Sequence, residues 1–73
     1  MGVNDWIEYG IERVESGVIK LVDIADGYDV IHTDACEELD LDGESSALYY
    51  QNENWIMDEV LAWFNIKKYN FGA

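Results

Sequence analysis

The sequence predicts an all-α domain built from three helices, and three observations favour this class. Apolar residues recur at spacings of three and four over residues 7–25 and again over residues 49–64, which is the period of an amphipathic helix. Residues typical of helix caps flank both stretches, and the chain contains no proline. At 73 residues the length suits one small domain, so we expect residues 1–73 to fold as a single acidic unit.

The first predicted helix spans residues 5–26. Asp5 is the expected N-cap, Glu8 is its capping-box partner, and Gly27 is expected just beyond the last turn. Gly17 costs about 1 kcal/mol inside a helix and leaves an alternative open, in which a shorter helix precedes a β-hairpin over about residues 18–33. The apolar stripe of the long helix consists of Ile7, Ile11, Val14, Val18, Leu21, Val22 and Ala25.

The second predicted helix covers residues 34–40, after an extended or weakly helical connector. Thr33 is its expected N-cap, because a Thr hydroxyl can accept a hydrogen bond from the first turn. Ala35, Cys36 and Leu39 are expected to face inward.

The third predicted helix begins at a Ser45 or Ser46 cap and runs to about residue 66. The alternative is a break at residues 52–54, after which only residues 54–66 are helical. Lys67 and Lys68 would complement the dipole at its end, and the aromatic side chains of residues 69–73 would fold back onto the core. The expected buried side holds Tyr49, Tyr50, Ile56, Met57, Val60, Leu61 and Phe64.

The charge of the chain excludes several partners. Sixteen acidic residues against four basic ones give a formal net charge of −12, whereas small domains usually carry a magnitude of about 2 to 8. Phosphates and anionic lipids would be repelled, so direct binding to nucleic acid or to a membrane is not expected. A hydrophobic fraction of 49% is too high for a disordered acidic tail.

No enzyme, metal or cofactor motif is present in the sequence. His32 and Cys36 are the only residues of their types, too few for a zinc site. The segment that begins at Glu38 places Tyr49 where a calcium loop needs Glu. A single cysteine cannot form an internal disulfide, and the first residues lack the pattern of a secretory signal. We therefore expect a cytoplasmic, non-enzymatic protein without cofactor or metal.

The acidic residues form two groups that we interpret as a partner-binding surface. Neighbours three or four apart on a helix lie about 5–6 Å from each other, and like charges at that distance destabilise the helix. A surface that serves solubility alone normally mixes both signs. The first group consists of Asp5, Glu8, Glu12, Glu15, Asp23 and Asp26, and the second of Asp34, Glu37, Glu38, Asp40, Asp42 and Glu44.

Two segments resemble a known family. Residues 21–36, LVDIADGYDVIHTDAC, and residues 56–64, IMDEVLAWF, are similar to segments of phage antirestriction proteins of the Ocr type. The resemblance implies an α-helical protein that imitates DNA and blocks restriction enzymes. It carries over by position to Asp26, Asp34 and Asp58.

Two functions follow as hypotheses. The first is a phage-type acidic inhibitor that occupies the basic nucleic-acid site of a host defence or DNA-processing protein, in the host cytoplasm if a phage encodes the chain. The alternative is a small interaction module, homodimeric or bound to another partner, that uses an aromatic and glycine patch. That patch consists of Trp6, Gly10, Gly17 and Ile24.

Overall fold

A computed structural model describes residues 1–65 of the chain. It contains five helices in this range: α1 (Val3–Glu15), α2 (Leu21–Ala25), α3 (Val30–Glu38), α4 (Gly43–Gln51) and α5 (Glu53–Trp63). No strand occurs among these residues, so the all-α class is confirmed and the alternative hairpin over residues 18–33 is wrong. The predictions for Lys67, Lys68 and residues 69–73 lie outside the described residues.

The long first helix is the main error of the sequence prediction, because the chain breaks between Glu15 and Leu21. Gly17 adopts a φ of 80°. Its N–H donates to the carbonyl of Val14 at 3.0 Å, and the N–H of Val18 donates to the carbonyl of Arg13 at 3.0 Å. This pair of bonds is the Schellman motif, which ends a helix at a left-handed glycine.

The same motif ends α2. Gly27 has a φ of 90°, its N–H donates to Ile24, and the N–H of Tyr28 donates to Asp23, both at 3.0 Å. The expectation that Gly27 lies just beyond a helix end is therefore confirmed. Two left-handed glycines divide residues 3–28 into α1 and α2.

Helices α1 and α3 begin earlier than predicted. Gly2 is the N-cap of α1, and Asp5 lies three residues inside, where its carboxylate accepts the N–H of Gly2 at 2.8 Å. Asp29 is the N-cap of α3, so the predicted cap Thr33 lies within the helix, where its hydroxyl donates to the carbonyl of Asp29 at 2.7 Å.

The region predicted as the third helix is two helices. Asp42 caps α4 in place of Ser45 or Ser46, because its carboxylate accepts the N–H of Ser45 at 2.8 Å. Asn52, with φ −125° and ψ 21°, separates α4 from α5. The predicted alternative of a break at residues 52–54 is therefore confirmed, although both flanking segments are helical.

All five helices contribute buried side chains to the core. Helix α1 packs most extensively on α5, and α2 packs on α5 next. Ile7, Ile11 and Val14 of the predicted stripe are only partly buried. The fully or almost fully buried apolar residues are Trp6, Ile19, Ile24, Ile31, Ala35, Tyr49, Ile56, Met57, Val60 and Leu61.

Three residues expected to face inward are exposed instead. Cys36, Leu39 and Tyr50 lie on the solvent side. Helix α3 buries the side that carries Ile31 and Ala35, and α4 buries the side that carries Ser45 and Tyr49. These expectations are wrong at those positions.

Candidate functional site: an acidic surface on α1, α3 and α4

Arg13 links α1 to α3 through Asp34. Its Nε lies 2.8 Å from Oδ2 of Asp34 and its Nη2 lies 3.3 Å from Oδ1. The hydroxyl of Tyr9 also donates to Oδ2. The side chain of Asp34 is only 11% exposed. Asp34 therefore holds two helices together, and its predicted place on an open binding surface is wrong.

This network changes the protonation chemistry of both α1 side chains. Burial, together with the hydrogen bond to Asp34, raises the pKa of Tyr9 above its usual value. The hydrogen bond to Asp34 raises the pKa of Arg13. Arg13 thus stays cationic, but its charge is matched by Asp34 and by Glu38, whose Oε1 lies 3.9 Å from Nη2.

Four acidic residues form a row on the exposed side of α1. Asp5, Glu8, Glu12 and Glu15 are all exposed. At a rise of about 1.5 Å per residue, the row extends about 15 Å along the helix. At about 100° per residue it lies opposite Gly10, which faces α5. We call these four residues the α1 row.

A second acidic group lies on α3, on α4 and between them. Glu38 of this group approaches Arg13 of α1. Hydrogen bonds from the side chain and backbone of Ser45 lower the pKa of Asp42, which keeps this N-cap ionised. We call Glu37, Glu38, Asp40, Asp42 and Glu44, all exposed, the α3–α4 group.

Asp23 and Asp26 do not extend the α1 row. Both were expected on the same side of one long helix, but they belong to α2 and its C-cap, beyond the turn at residues 16–20. Asp23 is partly buried and Asp26 is exposed. The six-residue row predicted for the first helix is therefore wrong, because the helix that would align it ends at Glu15.

The α1 row and the α3–α4 group together form the acidic surface. All sixteen acidic residues of the chain lie within residues 1–65, together with only two of its four basic residues. Of these two, Arg13 is engaged by Asp34, which leaves Lys20 as the other positive side chain in this part of the structure. The acidic surface therefore presents carboxylates with little compensation from the described residues.

The predicted aromatic and glycine patch is part of the core. Trp6 and Ile24 are 0% exposed, and Trp6 Nε1 donates to the carbonyl of Ser45 at 3.0 Å. A Cβ on Gly10 would lie 2.8 Å from Val60 Cγ2, so the close helix approach predicted at this glycine occurs inside the chain. Gly17 has no such neighbour within 4 Å and serves the turn instead. As a partner or dimer patch, this set is wrong.

The thiol of Cys36 lies beside the imidazole ring of His32. Cys36 Sγ lies 3.6 Å from Nδ1 and 3.8 Å from Nε2 of His32, and these similar distances place the sulfur away from the lone-pair axis of either nitrogen. His32 Nε2 lies 3.0 Å from Ser46 Oγ, and its ring stacks on Trp6 with centroids 5.8 Å apart. His32 therefore acts as a packed, hydrogen-bonded core residue.

No group of three or more His, Cys, Asp or Glu side chains among residues 1–65 is arranged to hold a metal ion. In the same residues, no helix has both the length and the apolar character needed to cross a bilayer.

Several large apolar side chains are exposed, which the sequence analysis did not anticipate. Trp55 and Trp63 on α5 are 59% and 64% exposed, and Tyr28 beside α3 is 62% exposed. The helical period of α5 would have indicated Trp55, which lies away from the side that carries Ile56 and Val60. It would not have indicated Trp63, which shares that side and is exposed at the last residue of α5.

No known protein-family model matches the chain, and no curated protein or solved structure matches it either. The fold and the site define a small all-α domain with an acidic surface. Of the positions implied by the Ocr-type resemblance, Asp26 and Asp58 are exposed and Asp34 lies in the link between α1 and α3.

Proposed function

We propose that this chain is a small acidic inhibitor that acts as a nucleic-acid mimic. Its acidic surface would occupy the basic nucleic-acid site of another protein, as phage inhibitors of host restriction, CRISPR or DNA-processing proteins do, and it would act in the host cytoplasm. The observation that supports this most is that the α1 row and the α3–α4 group are both fully on the exposed surface, while Arg13 is neutralised internally by Asp34.

The spacing of the α1 row suits a basic site that normally holds a nucleic-acid backbone. Successive acidic residues of the row rise by about 4.5 to 6 Å along the helix axis, compared with about 3.4 Å per phosphate along one DNA strand. The match is coarse, and the flexible Glu side chains can adjust it. Arg and Lys side chains of the partner would make charge-assisted hydrogen bonds to these carboxylates.

Association of this kind depends strongly on ionic strength. A dense negative surface attracts a positive one over long distances, which accelerates binding at low salt and weakens it as salt is added. The same charge would repel phosphates, so the proposed function includes no direct contact with nucleic acid or with a membrane.

Capture followed by competition tests this proposal. The immobilised chain would be incubated at low salt with bacterial lysate cleared of nucleic acid by nuclease, and retained proteins would be eluted by salt and purified. We expect basic nucleic-acid-binding proteins, each displaced from the chain by excess duplex DNA. If the retained proteins stay bound to the chain both in excess duplex DNA and in high salt, the proposal is contradicted.

The second candidate is an interaction module that binds through exposed aromatic side chains. Trp55 and Trp63 favour it, because each leaves more than half of a large apolar side chain in water. If this candidate holds, the double substitution Trp55→Ser and Trp63→Ser abolishes capture, while removal of the α1 row charges leaves capture unchanged. The nucleic-acid mimic predicts the opposite pattern.

A further inference from the structure

A cleft of about 430 Å³ lies between the α1–α2 turn and α3. One wall comes from residues 18–20 and from Asp23 of α2, and the other comes from residues 28–30 and the exposed side of α3. It is separate from the α1 row, but one of its lining residues, Glu37, belongs to the α3–α4 group.

The charges of the cleft are strongly unbalanced. Four carboxylates line it, those of Asp23, Asp29, Asp34 and Glu37, against the single ammonium group of Lys20. Asp34 is matched by Arg13. Within residues 1–65, Lys20 makes no ion pair within 4 Å, so it does not neutralise the other three carboxylates.

Asp29 carries a negative charge that no basic side chain of residues 1–65 matches, because it makes no ion pair within 4 Å. Its Oδ2 lies 3.4 Å from the hydroxyl of Tyr50, which lies closer, at 3.2 Å, to Nδ1 of His32. The hydroxyl of Tyr49 also lies near the Asp29 carboxylate. Neutral hydroxyls leave the charge of a partly buried carboxylate unmatched, and a cation in the adjoining cleft would match it.

The remaining lining suits a long cationic side chain that ends in a planar group. Val18 and Val30 provide apolar surface for the methylene groups of such a side chain. The ring of Tyr28 lines the same cleft and is 62% exposed, so its face is available for stacking by a cation.

We propose that this cleft receives an arginine side chain of the partner protein. This inference rests on the proposed function and adds an anchoring point to it. Arginine fits better than lysine because its guanidinium offers five donors in one plane, which can serve carboxylates on α2 and α3 together, and because that plane stacks on an aromatic ring.

The test is an NMR titration of the full chain with L-argininamide, with L-lysinamide as a probe of equal charge. We expect saturable shift changes concentrated at residues 18–37, and at least a threefold weaker affinity for lysinamide. Glu37→Gln and Tyr28→Leu should each weaken argininamide binding at least threefold. Asp58→Asn on α5 also removes one exposed negative charge but lies outside the cleft and outside the acidic surface, and it should change the affinity less than twofold.

Three results would overturn the inference: shifts spread over all acidic residues, equal affinity for both probes, or equal effects of Asp58→Asn and Glu37→Gln. The captured partner separates this inference from the proposed function. If removal of the α1 row charges weakens partner binding while Glu37→Gln and Tyr28→Leu act no more than Asp58→Asn, only the cleft inference fails. If argininamide binds as expected but the α1 row proves irrelevant to the partner, only the proposed function fails.

Discussion

Gly10 sets the distance between α1 and the helices that cover it. A Cβ at this position would lie 2.8 Å from Val60 of α5 and 3.0 Å from Ile31 of α3, closer than side chains pack. Both neighbours are completely buried and have little room to move. The residue interpreted from sequence as a contact point for another molecule is thus a contact point between helices of one chain.

Gly10→Ala should therefore destabilise the fold by about 1–3 kcal/mol, the usual cost of overpacking a core. Urea denaturation monitored by Trp fluorescence measures this change. Gly43→Ala is the matched control, since a Cβ there meets no atom within 4 Å, and it should change stability by less than about 0.5 kcal/mol. Equal stability of the Gly10→Ala variant and the parent would show that α1 does not pack this closely.

Tyr49 predicts how the fold responds to alkaline pH. Burial, followed by the nearby Asp29 carboxylate, raises the pKa of its hydroxyl well above the usual value of about 10. The stability contributed by the neutral hydroxyl is complete below that pH and is lost as the pH rises toward the folded-state pKa. Unfolding free energy should therefore fall above about pH 10.

Tyr49→Phe should make this alkaline loss shallower, and Tyr28→Phe, at an exposed ring, should leave it unchanged. At neutral pH Tyr49→Phe should change stability by less than about 1 kcal/mol, because the hydroxyl makes no hydrogen bond of ordinary geometry and has only the Asp29 carboxylate close by. Urea denaturation at several pH values measures both effects. A large loss of stability at neutral pH would contradict the described environment of this hydroxyl.

At the scale of elements, local chemistry decided more than periodicity did. The stripe from Ile7 to Ala25 has helical spacing, yet Gly17 ends α1 because a left-handed residue there satisfies two carbonyls of the last turn. Once the helix stops, residues 18–25 no longer indicate which side of α1 is buried. The buried side of α1 is centred on Trp6 and Gly10. The spacing of apolar residues does not reveal this side, because glycine is not counted among them.

The break at Gly17 can be tested by substitution. Gly17→Ala should cost about 1–2 kcal/mol, because an L side chain is strained at a φ of 80°. Gly17→Asn should cost less, since Asn tolerates the left-handed region. Urea denaturation gives the stabilities, and far-UV circular dichroism should show no gain in helix content for Gly17→Ala. A gain would mean that α1 and α2 merge into the long helix that the sequence pattern favours.

The remaining elements were predictable to different degrees. Gly27 marked the end of α2 correctly because a left-handed glycine cap depends on local residues only. The caps of α3 and α4 were misplaced, since Asp29 and Asp42 compete with nearby Thr33 and Ser45 for the same role. The link between Arg13 and Asp34 joins residues 21 apart in sequence, and no local pattern could indicate it.

In the whole molecule, the net charge of −12 is distributed differently from the sequence prediction. Most of the exposed acidic residues could be predicted from the sequence, because residues 5–15 are helical both in the prediction and in the structure. The sequence could not show that Asp34 is engaged within the fold, nor that Asp23 and Asp26 leave the row, since both follow from tertiary contacts and from the break at Gly17.

A surface of one sign also predicts how stability depends on salt. The Debye length falls from about 30 Å at 10 mM to about 8 Å at 150 mM ionic strength, whereas the α1 row is about 15 Å long. Sodium chloride should therefore raise the melting temperature over this range by screening the repulsion. The variant Glu8→Gln/Glu12→Gln/Glu15→Gln should be more stable at low salt and gain less from salt. A melting temperature that falls with added salt would contradict this.

Under the proposed function, the placement of the carboxylates, and not the net charge alone, makes the binding surface. To test this, the affinity of a captured nucleic-acid-binding partner is measured for two triple variants that each remove three negative charges. One is Glu8→Gln/Glu12→Gln/Glu15→Gln in the α1 row, and the other is Glu53→Gln/Asp58→Asn/Glu59→Gln on α5. The α1 row variant should weaken binding at least tenfold, about 1.4 kcal/mol, and the α5 variant should weaken it less than threefold. Equal losses, or no loss from the α1 row, would contradict this prediction.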